Sequence, residues 1–291
     1  MSSLNILESH TVKILKESLR LQEYGVGIFK TITTKSALKK SLKKELILVN
    51  GKIATTATFI NGGEIITLLK DIKATTHHKK INLFLEVVYE DEYLAVINKP
   101  PGILVSGNSF KTIANALEQN ITASNLLDAV KPKPVHRLDY PTTGLLLIGK
   151  TSSGIIALNK LFENKKITKS YIAITIGEMQ GSGEITEPID GKKATSKYNV
   201  IKRVNSKRFE FLNWVELTPE TGRKHQLRKH LFSINNPILG DQTYFLKGLK
   251  LQGKGLYLHA YSLEFIHPFT REKIVIRKDP PIKFHNIFEK K

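Results

Sequence analysis

The 291-residue sequence contains no cysteine, which excludes disulfides, thiolate metal sites and a cysteine nucleophile. Of its two Gly-x-x-x-x-Gly-Lys matches, "GLLLIGK" at Gly144 to Lys150 is an apolar run that reads as a strand and not a loop, and "GLKLQGK" at Gly248 to Lys254 is followed by Gly255 and not by the Ser or Thr of a phosphate loop; there is no Gly-x-Gly-x-x-Gly fingerprint, so no nucleotide cofactor is implied. No apolar run approaches the ~18 residues of a spanning helix, and "MSSLNILESH" lacks the basic start and apolar core of a secretory signal. A cytoplasmic protein without membrane association is expected. Acidic side chains are also scarce, 26 against 45 Lys and Arg, and the resulting charge of +19 points to a polyanionic partner, nucleic acid before lipid. With 41% hydrophobic and 24% charged residues the chain has the composition of a folded protein rather than a disordered one.

Two domains are expected: residues 1–75, a linker at 76–83, and a larger domain at 84–291. In the first, "TTKSALKKSLKKELILVNGKIATTATFINGGEIITLLK" reads as a helix, a strand, an Asn50-Gly51 turn and further short strands. Helical spacing gathers Lys35, Lys39, Lys40, Lys43 and Lys44 on one half of the cylinder, opposite Leu38 and Leu42. A solvated face would look the same. The linker stretch "DIKATTHHKKIN" is polar and aperiodic, and His77 and His78 diverge as neighbours in a linker, so no metal site is read there.

Beyond the linker, two strand-like runs joined at Glu90 to Glu92 lead to a Pro100-Pro101-Gly102 turn. "TIANALEQ" and "SSGIIALNKLFENKK" read as helices, the second with Thr151 as N-cap. Strands dominate the remainder. The expected class is α+β, with a large mixed, mainly antiparallel sheet, flanking helices and a central cleft, preceded by a small α+β domain.

Two stretches carry candidate chemistry. "VHRLDYPTTGLLLIG" puts His136, Arg137 and Asp139 ahead of a turn and an apolar run. A guanidinium beside a carboxylate favours its charged form, which serves equally a structural salt bridge, a nucleophile or a base. No second acid stands close enough in sequence to suggest a glycosidase pair. "TGRKHQLRKHL" clusters Arg223, Lys224, His225, Arg228, Lys229 and His230 around Leu227, with Gly222 expected to open a helix. Such a block suits phosphate groups. His225 and His230 are five apart, not the four that would share a helical face, so no zinc site is read.

In order along the chain, "INKPPGILV", "VHRLDYPTTGLLL", "ITKSYIAITIGE", "TGRKHQLRKHL", "PILGDQTY" and "LYLHAYSLEFIHP" resemble the motifs of RluA-type pseudouridine synthases over roughly residues 84 to 278. Residues 1–75 resemble a diverged S4-type RNA-binding module. The resemblance implies Asp139 as the catalytic aspartate, Tyr171 as the aromatic residue against the target base, and Arg228 as the cation pairing with Asp139. It further implies Arg137 reaching into the RNA and Leu227 packing beneath the site, with His136, Arg223, Lys35, Lys39 and Lys43 as further RNA contacts. The implied protein is a monomeric isomerase without metal or cofactor, acting on ribosomal RNA of the large subunit. The same chemistry on transfer RNA, and a non-catalytic ribosome-assembly factor, are the competing readings. Departures from the pattern are Thr142-Thr143 where Thr-Ser is usual, Ser106-Gly107 where His-Pro is frequent, and Lys224 in place of Thr.

Overall fold

A computed structural model describes residues 6–71 and 81–289. Chain contacts divide it into two units, Met1–Lys79 with Asn125–Ala129, and Lys80–Ser124 with Val130–Lys291.

The first unit runs β1 (Ile6–Thr11), β2 (Leu19–Arg20), α1 (Leu21–Tyr24), α2 (Lys35–Lys43), β3 (Ile47–Val49), β4 (Lys52–Ile53), β5 (Phe59–Ile60) and β6 (Ile65–Leu69). Its sheet has the order β1-β6-β3-β4, and β2 pairs with β5. Helix α2 starts where the Thr34 hydroxyl accepts the Ala37 N–H, and it is held by Leu38 and Leu42, both buried in a core with Leu21, Phe29, Ile47 and Ile66. All five lysines of the basic face are exposed; Lys35 pairs with Glu23 at 2.6 Å and Lys44 with Asp71 at 2.5 Å. Asn50 and Gly51 both have positive φ, 48° and 78°, as the tight turn between β3 and β4 requires.

The second unit begins before residue 84. Ile81 is buried in its core, and the Asn120 side chain accepts from the Leu85 N–H and donates to the Leu83 carbonyl. Residues 76–80 of the expected linker, His77 and His78 among them, lie outside the described residues. The elements are β7 (Glu86–Glu90), β8 (Leu94–Lys99), α3 (Ile113–Ala116), β9 (Ala129–Pro134), β10 (Thr143–Thr151), α4 (Ser152–Glu163), β11 (Thr168–Ile176), β12 (Ser182–Ile185), β13 (Ser196–Ser206), β14 (Glu210–Pro219), α5 (Gln226–Ser233), β15 (Leu258–Ile266), β16 (Lys273–Arg277) and α6 (Ile282–His285). They build a ten-stranded sheet of order β12-β13-β14-β11-β15-β10-β8-β7, with β16 on β15 and β9 on β10. It is mainly antiparallel, and β10 and β15 run parallel. No helix among the described residues is long and apolar enough to cross a membrane.

Strand β10 is buried along its whole length because both faces are covered. Leu145 and Leu147 pack with Leu94, Leu158 and Phe265 on one side; Leu146 and Ile148 pack with Ile97, Ile113 and Leu117 on the other. The Thr151 hydroxyl caps α4 by accepting the Gly154 N–H at 2.9 Å. Gly144 has φ 107° and meets Ala260 across the parallel pairing, where a Cβ would strike the Ala260 backbone. Glycine there lets β10 close against β15 immediately after the turn that carries Asp139.

Candidate active site

Asp139 sits between β9 and β10 in a turn closed by the Thr142 N–H donating to the Asp139 carbonyl at 3.1 Å. Beneath it, Lys99 is wholly buried at the end of β8. Its ammonium donates to the carbonyls of Pro100 at 2.9 Å, Tyr140 at 3.2 Å and Thr142 at 2.8 Å. Three protons meet three carbonyls, two of them in the turn itself, so the lysine ties that turn to the "NKPPG" segment. Burial pulls Lys99 down to about 8, against a smaller upward pull from the Asp139 charge. The Gly102 N–H donating to the Tyr140 carbonyl at 2.9 Å fastens the same turn a second time, and Leu138 is buried in the core below.

Arg228 projects from α5 with 4% of its surface exposed. Its Nε and Nη2 donate to the two carboxylate oxygens of Asp241 at 2.6 and 2.8 Å, while Nη1 lies 3.5 Å from Asp139 Oδ2. The expected Arg228–Asp139 pair is therefore the longer arm of a bridge whose short, bidentate arm goes to Asp241. Asp241 is fully buried and also accepts the N–H groups of Thr243 and Tyr244 at 2.8 and 3.0 Å. The guanidinium lies over the Tyr244 ring, 5.1 Å from its centroid. Arg137, two residues from Asp139 in sequence, is exposed and lines the cleft.

His225 faces the other carboxylate oxygen. Its Nε2 is 3.8 Å from Asp139 Oδ1, and its Nδ1 is hydrogen-bonded to the Tyr244 hydroxyl at 3.0 Å. It precedes α5 at φ 56°, a left-handed conformation, so the helix opens at Gln226 and not at Gly222. Burial, and less strongly the Arg228 and Lys224 charges, hold the imidazole below its usual range against the opposing pull of Asp139. Gln226 pins the preceding loop to β13: its amide donates to the Thr195 carbonyl and the Ser196 hydroxyl, and its oxygen accepts from the Thr221 hydroxyl and the Arg223 N–H.

Tyr171 enters from β11, at the residue where the pairing with β15 shifts register. Burial raises its phenol far above the ordinary range and the Asp139 charge adds to this, so it stays protonated. His136 accepts the Leu147 N–H at 3.0 Å through Nε2, and burial followed by the nearby Lys169 charge brings it down to about 3. It is a neutral acceptor bound to β10, with its ring against Phe162.

Asp139, Tyr171, Arg228, Arg137, Leu227, His136 and Arg223 all line one cleft of about 480 Å³, a volume that suits a small organic group such as a nucleoside. Leu227 forms part of its floor, 6% exposed. Lys35, Lys39 and Lys43 are on α2 of the first unit and are not among the residues lining this cleft. The motifs "INKPPGILV" and "PILGDQTY" contain Lys99 and Asp241 with nothing local to mark their roles, and His225 reads from sequence only as part of a basic block. The arrangement is a carboxylate with 17% of its side chain exposed, opening into a cleft between a fixed guanidinium and an imidazole, with a protonated phenol nearby. It fits nucleophilic or basic chemistry by the carboxylate.

Residues 93–233 match the RNA pseudouridylate synthase family. The chain is 32% identical over 290 residues to ribosomal large subunit pseudouridine synthase D of Pasteurella multocida, covering 88% of this chain and 86% of that one. It is 34% identical over 270 residues to the protein of the same name from Buchnera aphidicola, covering 82% and 84%. An RNA pseudouridine synthase of Aquifex aeolicus is 30% identical, with 98% of both chains covered. Among solved structures, human RNA pseudouridylate synthase domain containing 4 superposes with a TM-score of 0.54 at 26% identity, covering 69% of this chain and 90% of that one.

Proposed function

Because this chain belongs to the RNA pseudouridylate synthase family and is an RNA pseudouridine synthase, we propose that it modifies uridines of large-subunit ribosomal RNA, with Asp139 as the catalytic residue. Relatives named for that substrate, which align over more than four fifths of both chains, support the choice of RNA. The observation that supports the assignment of Asp139 is its position: a carboxylate presented into the cleft by a turn that Lys99 fastens, with Arg228 at 3.5 Å.

The reaction breaks the N1–C1′ bond of a uridine, turns the uracil, and forms a C5–C1′ bond. The C5 proton then leaves and N1 takes one up, so the atoms balance without redox or an energy source. The base first leaves its RNA context, which costs least in a loop. Asp139 acts on the nucleoside by attack at C1′, by removing the 2′ proton, or by adding to C6. Arg228 meets Asp139 with a charge already fixed by Asp241, so little rearrangement accompanies the step. Tyr171 lies against the base, its ring replacing lost stacking and its protonated hydroxyl acting as a donor.

The first unit is proposed as a diverged S4-like RNA-binding domain, supported by the exposed lysines of α2 on a Leu38/Leu42 anchor. Lys35, Lys39 and Lys43 would meet RNA phosphates there, and Arg137 and Arg223 at the cleft. A monomer in the cytoplasm is part of the same proposal. Mapping pseudouridines across total RNA with and without the protein tests the substrate. Sites lost from large-subunit ribosomal RNA are expected; sites lost only from transfer RNA would overturn the choice.

A further inference from the structure

A second cleft, of about 600 Å³, opens beside the catalytic one and shares Phe162, Lys169, Pro219, Thr221, Gly222 and Arg223 with it. The wall between them is built from the end of α4, the start of β11 and the loop after β14. A nucleotide held in the first cleft is covalently continuous with its neighbours, so the strand must leave by some route. This neighbouring cleft is lined by cations where the strand would pass.

Lys169 stands on the shared wall, half-buried. Its ammonium lies over the Phe162 ring, 5.6 Å from the centroid. Among the described residues no carboxylate is within ion-pair distance of it. Burial alone pulls its proton affinity down. A half-buried charge whose neighbours are the Phe162 ring and the neutral His136 is left short of a counter-ion, and a phosphate would supply one. Arg223, exposed, donates its Nε to the Lys193 carbonyl at 3.2 Å, which holds its position while its Nη donors make no hydrogen bond among the described residues. Lys165 lines the outer part of the second cleft. Two carboxylates also line it: Glu220 is neutralised by Lys197 at 2.7 Å, and Glu163 is exposed.

We propose that the second cleft is a subsite for the RNA strand next to the target uridine, in which Lys169 binds a phosphodiester flanking that uridine. The proposal rests on RNA being the substrate of the adjoining cleft. Lys169 is thereby a gate-post between the two clefts, fixing which way the strand runs from the modified nucleotide. Phe162, under its ammonium, offers a ring to the flanking base.

The test uses a short stem–loop RNA with a single loop uridine and the full-length protein carrying Asp139→Asn, so that binding is read without turnover. A neutral methylphosphonate is placed on the 5′ or the 3′ side of the uridine. One of the two is expected to weaken binding about tenfold and to have no further effect when Lys169→Met is added. The salt dependence of log Kd should flatten by about 0.7 with Lys169→Met, as for one lost phosphate contact on a single strand. The exposed Lys165→Ala, which leaves the catalytic cleft untouched, should give a smaller loss in the same direction and covers the case of a poorly folded Lys169 variant. Equal weakening with and without Lys169, or none on either side, overturns the subsite. Tritium release by the wild-type protein is read separately, so failure of the reaction assignment is distinguishable from failure of the subsite.

Discussion

Arg228 divides its guanidinium between two carboxylates, gripping Asp241 at 2.6 and 2.8 Å and facing Asp139 at 3.5 Å. The short arm is buried and structural; the long arm reaches the cleft. A cation fixed in this way is ready for a charge change at Asp139 without having to move.

Asp241→Ala leaves the buried Arg228 without its anchor and should cost about 3–5 kcal/mol of stability, measured by urea unfolding. Arg228→Ala should cost a similar amount. The double variant should be less destabilised than the sum of the two, because each single change strands the other's charge.

Lys99→Met leaves the carbonyls of Pro100, Tyr140 and Thr142 short of a donor and should destabilise by about 1–3 kcal/mol at neutral pH. Turnover should fall with it, since two of those carbonyls belong to the Asp139 turn. In the folded chain this lysine titrates near 8 against 10.5 when exposed. Between those values the unfolded chain holds more protons, so wild-type stability should rise with pH relative to Lys99→Met, by about 3 kcal/mol at most. A flat difference between pH 8 and 10.5 would refute this.

His225→Gln removes a titrating group 3.8 Å from Asp139. The imidazole is held below its ordinary range, hence neutral at pH 7, and its protonation on acidification sets a new cation against the carboxylate. Wild-type kcat is expected to drop on acidification with a contribution that the Gln variant lacks. Superimposable acid limbs would contradict it.

Tyr171→Phe keeps the ring and should bind RNA within about threefold of wild type, while Tyr171→Ala should lose the equivalent of about 1–3 kcal/mol of stacking. Since the phenol stays protonated well above its usual range, its ionisation should contribute no rise in kcat between pH 7 and 9.

Much of this is legible in the sequence alone. Six motifs in order located Asp139, Tyr171 and Arg228, and the structure brings them into one cleft; the Asn50-Gly51 turn and the Thr151 cap followed from local chemistry. What escaped were pairings decided by tertiary packing. Asp241 is thirteen residues from Arg228 and 102 from Asp139 along the chain, yet it anchors the guanidinium that faces Asp139. Lys99 read as part of a turn motif because nothing local says that its ammonium is buried against residues 41 and 43 positions away. The left-handed His225, a histidine where such a backbone usually has Gly or Asn, shifted the start of α5 by several residues from the expected Gly222.

The most direct measurement is release of tritium from RNA labelled at uridine C5, comparing wild type with Asp139→Asn, together with RNA binding by both. Release by the wild type, none by the variant and similar Kd values are expected. Undiminished release by Asp139→Asn would contradict the central role given to that carboxylate.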